Sequence, residues 1–361
     1  MKKFTKIVSV VLCLALVLTA FAACGSKKDD AATTTVAETE AEKTTLPEAT
    51  EDDSSAPAAT DTGKTYTVGI CQLAPHVALD AATKGFKDAL TEKLGDKVTF
   101  DEQNAAGEAN ACATIVNKFV ASKVDLIMAN ATPALQAAAA ATSTIPIVGT
   151  SVTDYATALD MDVDSWTGKT GVNITGTADC APLDKQAEMI LTLVPDVKTV
   201  GIIYCSGEAN SKFQVNAVKA YLEAKDITVK EYPFADSNDI TTVVTKAVSE
   251  CDALYAPTDN KVADNTEVVN NIAEPKGVPL IAGEEGICKG CGVATLSISY
   301  YDIGYEAGMM AYDILVNGKN PADMEIGYSS NLVEKYVKDR AEALGITIPE
   351  GYEEIVVEDD K

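Results

Sequence analysis

The chain has 361 residues and a formal net charge of −25, from 29 Lys and Arg against 54 Asp and Glu. That length accommodates more than one domain. The acidic surplus excludes the basic face that nucleic acid requires, and it excludes adhesion to anionic lipid through charge.

The first 23 residues read as a targeting segment. Lys2, Lys3 and Lys6 precede an apolar run over 7–21, and Phe21-Ala22-Ala23 supplies the small residues of a cleavage point before Cys24. The run is short for a membrane span. Residues 24–63 are rich in Thr, Ala, Glu, Asp, Ser and Pro and poor in large apolar side chains. Such a segment cannot bury enough surface to offset chain entropy, so it is expected as a disordered acidic linker.

From Lys64 onward, short apolar runs alternate with helical patterns. Strands are expected at 66–71, 98–102, 126–130 and 146–149, with helices at 78–94, 108–122 and 133–142. The pattern pauses between 150 and 170 and then repeats. Strands are expected at 200–205, 228–232, 253–256 and 280–282, with helices at 183–193, 210–224, 239–249 and 262–273. The sequence "ATLSISY" (294–300), a helix over 302–316, a strand over 324–328 and a helix over 332–344 close the chain. This alternation predicts βαβ units with right-handed crossovers. The fold class is α/β: two doubly wound parallel-sheet lobes with a hinge and an interlobe cleft. The expected lobes are 64–175 plus 300–325, and 176–299 plus 326–361. Trp166, in the pause, is read as a packing residue.

Ligands of open α/β sheets bind beyond the carboxyl ends of the strands. There the chain places polar segments: His76 after the first strand, Asn104 after the second, Thr132 before Pro133, Thr153, the run Ser206 to Ser211 with Asn210, Thr258-Asp259, and Glu284-Glu285. Thr132 is also an expected N-cap. Thr175 and Tyr300 lie where the chain crosses between lobes. Catalytic signatures are absent: there is no H-E-x-x-H and no G-x-S-x-G, and the single histidine leaves most nucleophile–base pairs without a base. Gly63-Lys64-Thr65 and Gly168-Lys169-Thr170 lack the first glycine of a phosphate loop. Seven cysteines follow the linker, most of them inside apolar runs, where a thiol behaves as a small hydrophobe. Cys288-Lys289-Gly290-Cys291 leaves a local disulfide open, and without a second ligand pair it is weak as a zinc motif. No metal or cofactor is expected.

Taken as a set and in order, "ALDAATKGFKDAL", "QNAAGEAN", "ATPALQAAA", "NITGT", "KTVGIIY", "EANS", "YAPTDNKVA", "PLIAGEEG" and "SISYYDIGYEAGMMA" cover most of 66–321. They resemble the substrate-binding proteins of ABC importers, in the tryptophan/tyrosine-type branch with a type I periplasmic-binding fold. The resemblance implies a non-enzymatic monomer whose two lobes, joined by three crossover strands, close on a small amino acid ligand, aromatic foremost. It implies delivery to an ABC permease with its ATPase. The residues before and at Cys24 resemble a lipobox, which implies a lipid anchor at Cys24 on the outer face of the cell membrane. For such a zwitterion, the helix start at Ser206, Asn210 and Ser211 would supply carboxylate donors. Asp259 would accept from the ammonium. Thr132, Asn104, Thr153, Thr175, His76, Thr258, Glu285 and Tyr300 would complete the shell. Sugar or nucleoside binding in the same fold, or sensing for a signalling partner, are the alternatives.

Overall fold

The computed structural model describes residues 63–329 and 331–357. The signal segment, Cys24 and all but the last residue of the linker lie outside the described residues. The first lobe runs β1 (Tyr66–Gln72), α1 (Val77–Leu94), β2 (Val98–Asn104), α2 (Ala109–Ser122), β3 (Leu126–Asn130), α3 (Thr132–Ala141), β4 (Ile147–Val152), α4 (Tyr155–Ala158) and β5 (Ile174–Ala178). The second runs α5 (Leu183–Leu193), β6 (Thr199–Cys205), α6 (Ala209–Glu223), β7 (Thr228–Phe234), α7 (Ile240–Glu250), β8 (Ala253–Ala256), α8 (Asn260–Ala263), α9 (Thr266–Ala273), β9 (Leu280–Ala282), α10 (Glu285–Cys291) and β10 (Ala294–Ile298). Then come α11 (Tyr300–Leu315), β11 (Gly327–Tyr328), β12 (Leu332–Tyr336), α12 (Lys338–Ala343) and β13 (Glu353–Glu354).

The strand orders are β11-β5-β4-β3-β1-β2 and β13-β12-β10-β9-β8-β6-β7. Both sheets are parallel except for the antiparallel pair β10–β12. Helices cover both faces, so inner strands such as β3, with the sequence LIMAN, are buried at every position. The edge strands β2 and β7 carry the exposed polar residues. Leu135, Phe119 and Ile127 lie in the core on one face of the first sheet, and Phe86, Leu90 and Met128 on the other.

Three segments cross between the lobes: β5 to α5, β10 to α11, and β11 to β12. All of β5 belongs to the first sheet, and β11 pairs with β5. The expected boundaries at 175/176 and 325/326 therefore each fall a few residues early. The helix expected over 332–344 is also corrected. Residues 332–336 form β12 on the open edge of β10, and only Lys338–Ala343 is helical. The apolar spacing of Leu332, Val333 and Tyr336 suits either structure; the unpaired backbone of β10 decides it.

Helix α11 returns to the first lobe and lies against α1. A Cβ on Gly304 would run into the Ala82 carbonyl oxygen, and one on Gly85 into that of Tyr301. The absent side chains allow this close crossing, which fixes the start of α11 at the hinge. Trp166 packs, half-buried, against the first-lobe core and within hydrogen-bonding reach of the Tyr328 hydroxyl on β11. The seven described cysteines are all unpaired, and Cys288 and Cys291 are buried.

Candidate ligand-binding site

The carboxyl ends of the two sheets meet at a small cavity of about 10 Å3. From the first lobe, His76 and Leu79 enter from the start of α1, and Ser151 and Thr153 from the end of β4. Register aligns the ends of β1, β3 and β4, with Gln72 opposite Asn130 and Asn130 opposite Thr150. Pairing of β4 with β5 is interrupted between Gly149 and Val152, and Ser151 has φ +54. Bulges re-aim side chains. Here the Ser151 hydroxyl is buried at the cavity with no hydrogen-bond partner.

Asp179 directly follows β5. It accepts the Thr153 hydroxyl at 3.0 Å and the Tyr300 hydroxyl at 2.9 Å. Tyr300 is the first residue of α11, so the close α1–α11 crossing sets its position. Burial raises the pKa of Asp179 and pushes that of Tyr300 well up.

The second lobe contributes a network built around two acids. Glu208 accepts the side-chain nitrogens of Asn210 (3.0 Å) and Asn260 (2.7 Å), and the backbone N–H groups of Asn260 (3.1 Å) and Lys261 (3.2 Å). It thereby satisfies the start of α8. Asp259 accepts Cys205 N–H and Ser211 O–H, each at 2.7 Å, and Val262 N–H at 2.9 Å. Burial, then the neighbouring Glu208 carboxylate, push the Asp259 pKa up to about 7. Glu284 caps α10 through the N–H groups of Gly286 and Ile287, and burial pushes its pKa up to about 7. The Asn210 side-chain nitrogen also donates to the Thr258 carbonyl at 2.9 Å. Both of its close partners can only accept, which fixes the amide orientation and leaves Oδ1 buried without a partner.

Two contacts bridge the lobes at the rim. His76 Nε2 lies 3.3 Å from Asn260 Oδ1, and Lys261 Nζ lies 3.2 Å from Glu108. Because the Asn260 nitrogen faces Glu208, its Oδ1 accepts, so His76 carries a proton on Nε2. Burial lowers the His76 pKa and favours the neutral ring.

The profile of the family described as ABC transporter substrate binding protein matches residues 67–360. The chain belongs to that family. A tyrosine-binding protein of Clostridioides difficile is 37% identical over 270 residues, 74% of this chain and 77% of that protein. The structure of an ABC domain in complex with L-Trp from Streptococcus pneumoniae aligns with TM-score 0.76 at 33% identity, covering 81% of this chain and all of that one. A ligand-free, open substrate-binding protein with adhesive properties from Clostridium difficile aligns with TM-score 0.62 at 35% identity, covering 81% of this chain and all of that one.

In this substrate-binding protein, six of the residues expected at the ligand, His76, Thr153, Asn210, Thr258, Asp259 and Tyr300, line the cavity. Tyr301 points away and donates to Asp88. Six expected residues lie elsewhere. Asn104 ends the edge strand β2 and accepts Ala106 N–H. Ser206 donates to the Phe234 carbonyl, and Ser211 donates to Asp259 behind the wall. Thr175 is buried within β5. Glu285 turns to Ser297 and Lys335, because neighbouring residues diverge where α10 begins. Thr132 is already inside α3, whose N-cap is Ala131 at φ 93, so Thr132 is no cap. Its hydroxyl is buried without a partner, outside the cavity lining. Asp179, Ser151, Asn260 and Glu284 also line the cavity without having been among the expected ligand residues, although Glu284 stands in an expected strand-end segment. For Asp179 a signal existed: an acid set immediately after an apolar strand that leaves its sheet.

Proposed function

We propose that this protein is the extracytoplasmic receptor of an ABC importer, anchored through a lipid on Cys24, and that its lobes close on one zwitterionic amino acid with an aromatic side chain. The observation that carries this reading is the pairing, in one interlobe cavity, of a buried acid that accepts the hydroxyls of Thr153 and Tyr300 (Asp179) with buried polar atoms that have no protein partner, Ser151 Oγ and Asn210 Oδ1. Asp179 and Asn210 Oδ1 suit an ammonium group. Ser151 Oγ, with the N–H groups of the first turn of α6, suits a carboxylate. Leu79, Ala263 and the Tyr300 ring give the cavity an apolar side for the ligand's own ring.

The relatives that bind tyrosine and L-Trp support the same ligand class. No Arg or Trp lines the cavity, which weighs against planar sugar recognition. From the receptor the ligand passes to a membrane permease driven by an ATPase, and the receptor works as a monomer. Calorimetric titration of the purified protein with the common amino acids, sugars and nucleosides tests the proposal. Saturable binding of tyrosine, tryptophan or phenylalanine is expected; binding of a sugar or nucleoside alone would refute it.

A further inference from the structure

The cavity is unevenly supplied with hydrogen-bonding groups. Nearly every side-chain donor on its wall is already used by the protein. Thr153 and Tyr300 donate to Asp179, and the Asn210 nitrogen to Glu208 and the Thr258 carbonyl. The Asn260 nitrogen donates to Glu208, His76 Nε2 to Asn260, and the Thr258 hydroxyl to the Gly283 carbonyl at 3.3 Å. Ser151 alone keeps a hydroxyl without a partner. Acceptors, by contrast, are in surplus. Asp179, Asp259 and Glu284 all line the wall, none of them in an ion pair with any cation among the described residues. Asn210 Oδ1 has no donor at all. No Lys or Arg lines the cavity.

We infer that this site reads its ligand chiefly through the amine: the cavity is selective for a cationic, donor-rich group, and the ligand's carboxylate is the secondary determinant. The inference rests on the amino-acid reading above and deepens it. A buried acid without a cation is costly, and a primary ammonium supplies both the missing charge and three donors. A carboxylate adds a negative charge to a wall already rich in acids and finds only Ser151 and backbone N–H groups. The amine without the carboxylate should therefore still bind, and the carboxylate without the amine should not. For the same reason, aspartate and glutamate should be rejected.

The test is calorimetry on the purified protein with three probes that share one ring: L-tyrosine, tyramine, and 3-(4-hydroxyphenyl)propionate. Removing the carboxylate forfeits hydrogen bonds to a charged group, so tyramine should bind about 10- to 100-fold more weakly than tyrosine. The propionate leaves the buried acid unpaired and should lose about a thousandfold or more. If tyrosine binds but the two analogues are equal, or the propionate is the tighter, the inference falls and the receptor reading stands. If tyramine binds while no amino acid does, the receptor reading falls and amine selectivity stands. The Asp179→Asn variant gives an independent ratio: the preference for tyramine over the propionate should collapse. A preference as large as in the unmodified protein would overturn the assignment to Asp179.

Discussion

Asp179 and Asp259 are both buried acids on the cavity wall, yet their surroundings set them apart. Asp259 takes two backbone N–H groups and the Ser211 hydroxyl of its own lobe, so much of its capacity holds β6 to α8. Asp179 takes the side-chain hydroxyls of Thr153 and Tyr300 and no backbone N–H of a neighbouring element. Asp179→Asn is therefore expected to weaken amino-acid binding by about 2–5 kcal/mol, measured by calorimetry. Ser211→Ala is expected to lower folding stability by about 1–3 kcal/mol in denaturant titrations, because it strips a donor from a buried carboxylate. Equal stability to the unmodified protein would show that Asp259 does not depend on that donor. At this scale the sequence was half legible. Polar residues at strand ends announced the crown, but nothing in "EANS" shows that Ser211 faces Asp259 or that Asn210 turns its oxygen to the cavity. The Asn210 orientation follows from Glu208, which draws the Asn210 and Asn260 nitrogens toward itself.

Elements decide how firmly the hinge is set. The α1–α11 crossing depends on Gly85 and Gly304, whose missing side chains admit the opposing backbone carbonyls. Gly304→Val is expected to cost about 1–3 kcal/mol or more of stability through overpacking, read from the midpoint of chemical unfolding. The other side of the cleft is held by lighter contacts, His76 to Asn260 and Lys261 to Glu108. Asn260→Ala should speed ligand dissociation in stopped-flow measurements; an unchanged off-rate would show that the rim contact does not hold the lobes. Periodicity made most elements readable, since strands covered on both faces leave continuous apolar runs and their helices leave amphipathic ones. It failed at β12. There a short segment with ambiguous spacing is decided by the open edge of a strand some forty residues earlier, which no local pattern records.

For the whole molecule, buried acids tie stability to pH. Asp259 and Glu284 ionise near 7 in the folded protein, against ordinary values of 3.8 and 4.5. Between those limits the folded chain holds protons that the unfolded chain has released. The stability these groups contribute is full below about pH 4 and is lost as pH rises through about 7. The thermal midpoint of the ligand-free protein should therefore fall from about pH 5 to about pH 8, and Asp259→Asn should flatten that slope. A midpoint that rises over this window would contradict it. A bound ammonium offsets the ionised wall, so the ligand-induced shift should be larger at the higher pH. The two-lobed plan was readable because each lobe repeats the same alternation, whereas the contacts across the cleft were not, because they join residues more than a hundred positions apart. One consequence concerns how the protein can be watched. Trp166 is the sole tryptophan, and it sits beside Tyr328 on the strand that leads into the third crossing. Its fluorescence is thus a built-in reporter placed next to one of the crossings between the lobes. With tyrosine or phenylalanine as ligand, a change in that emission would register closure without any attached dye.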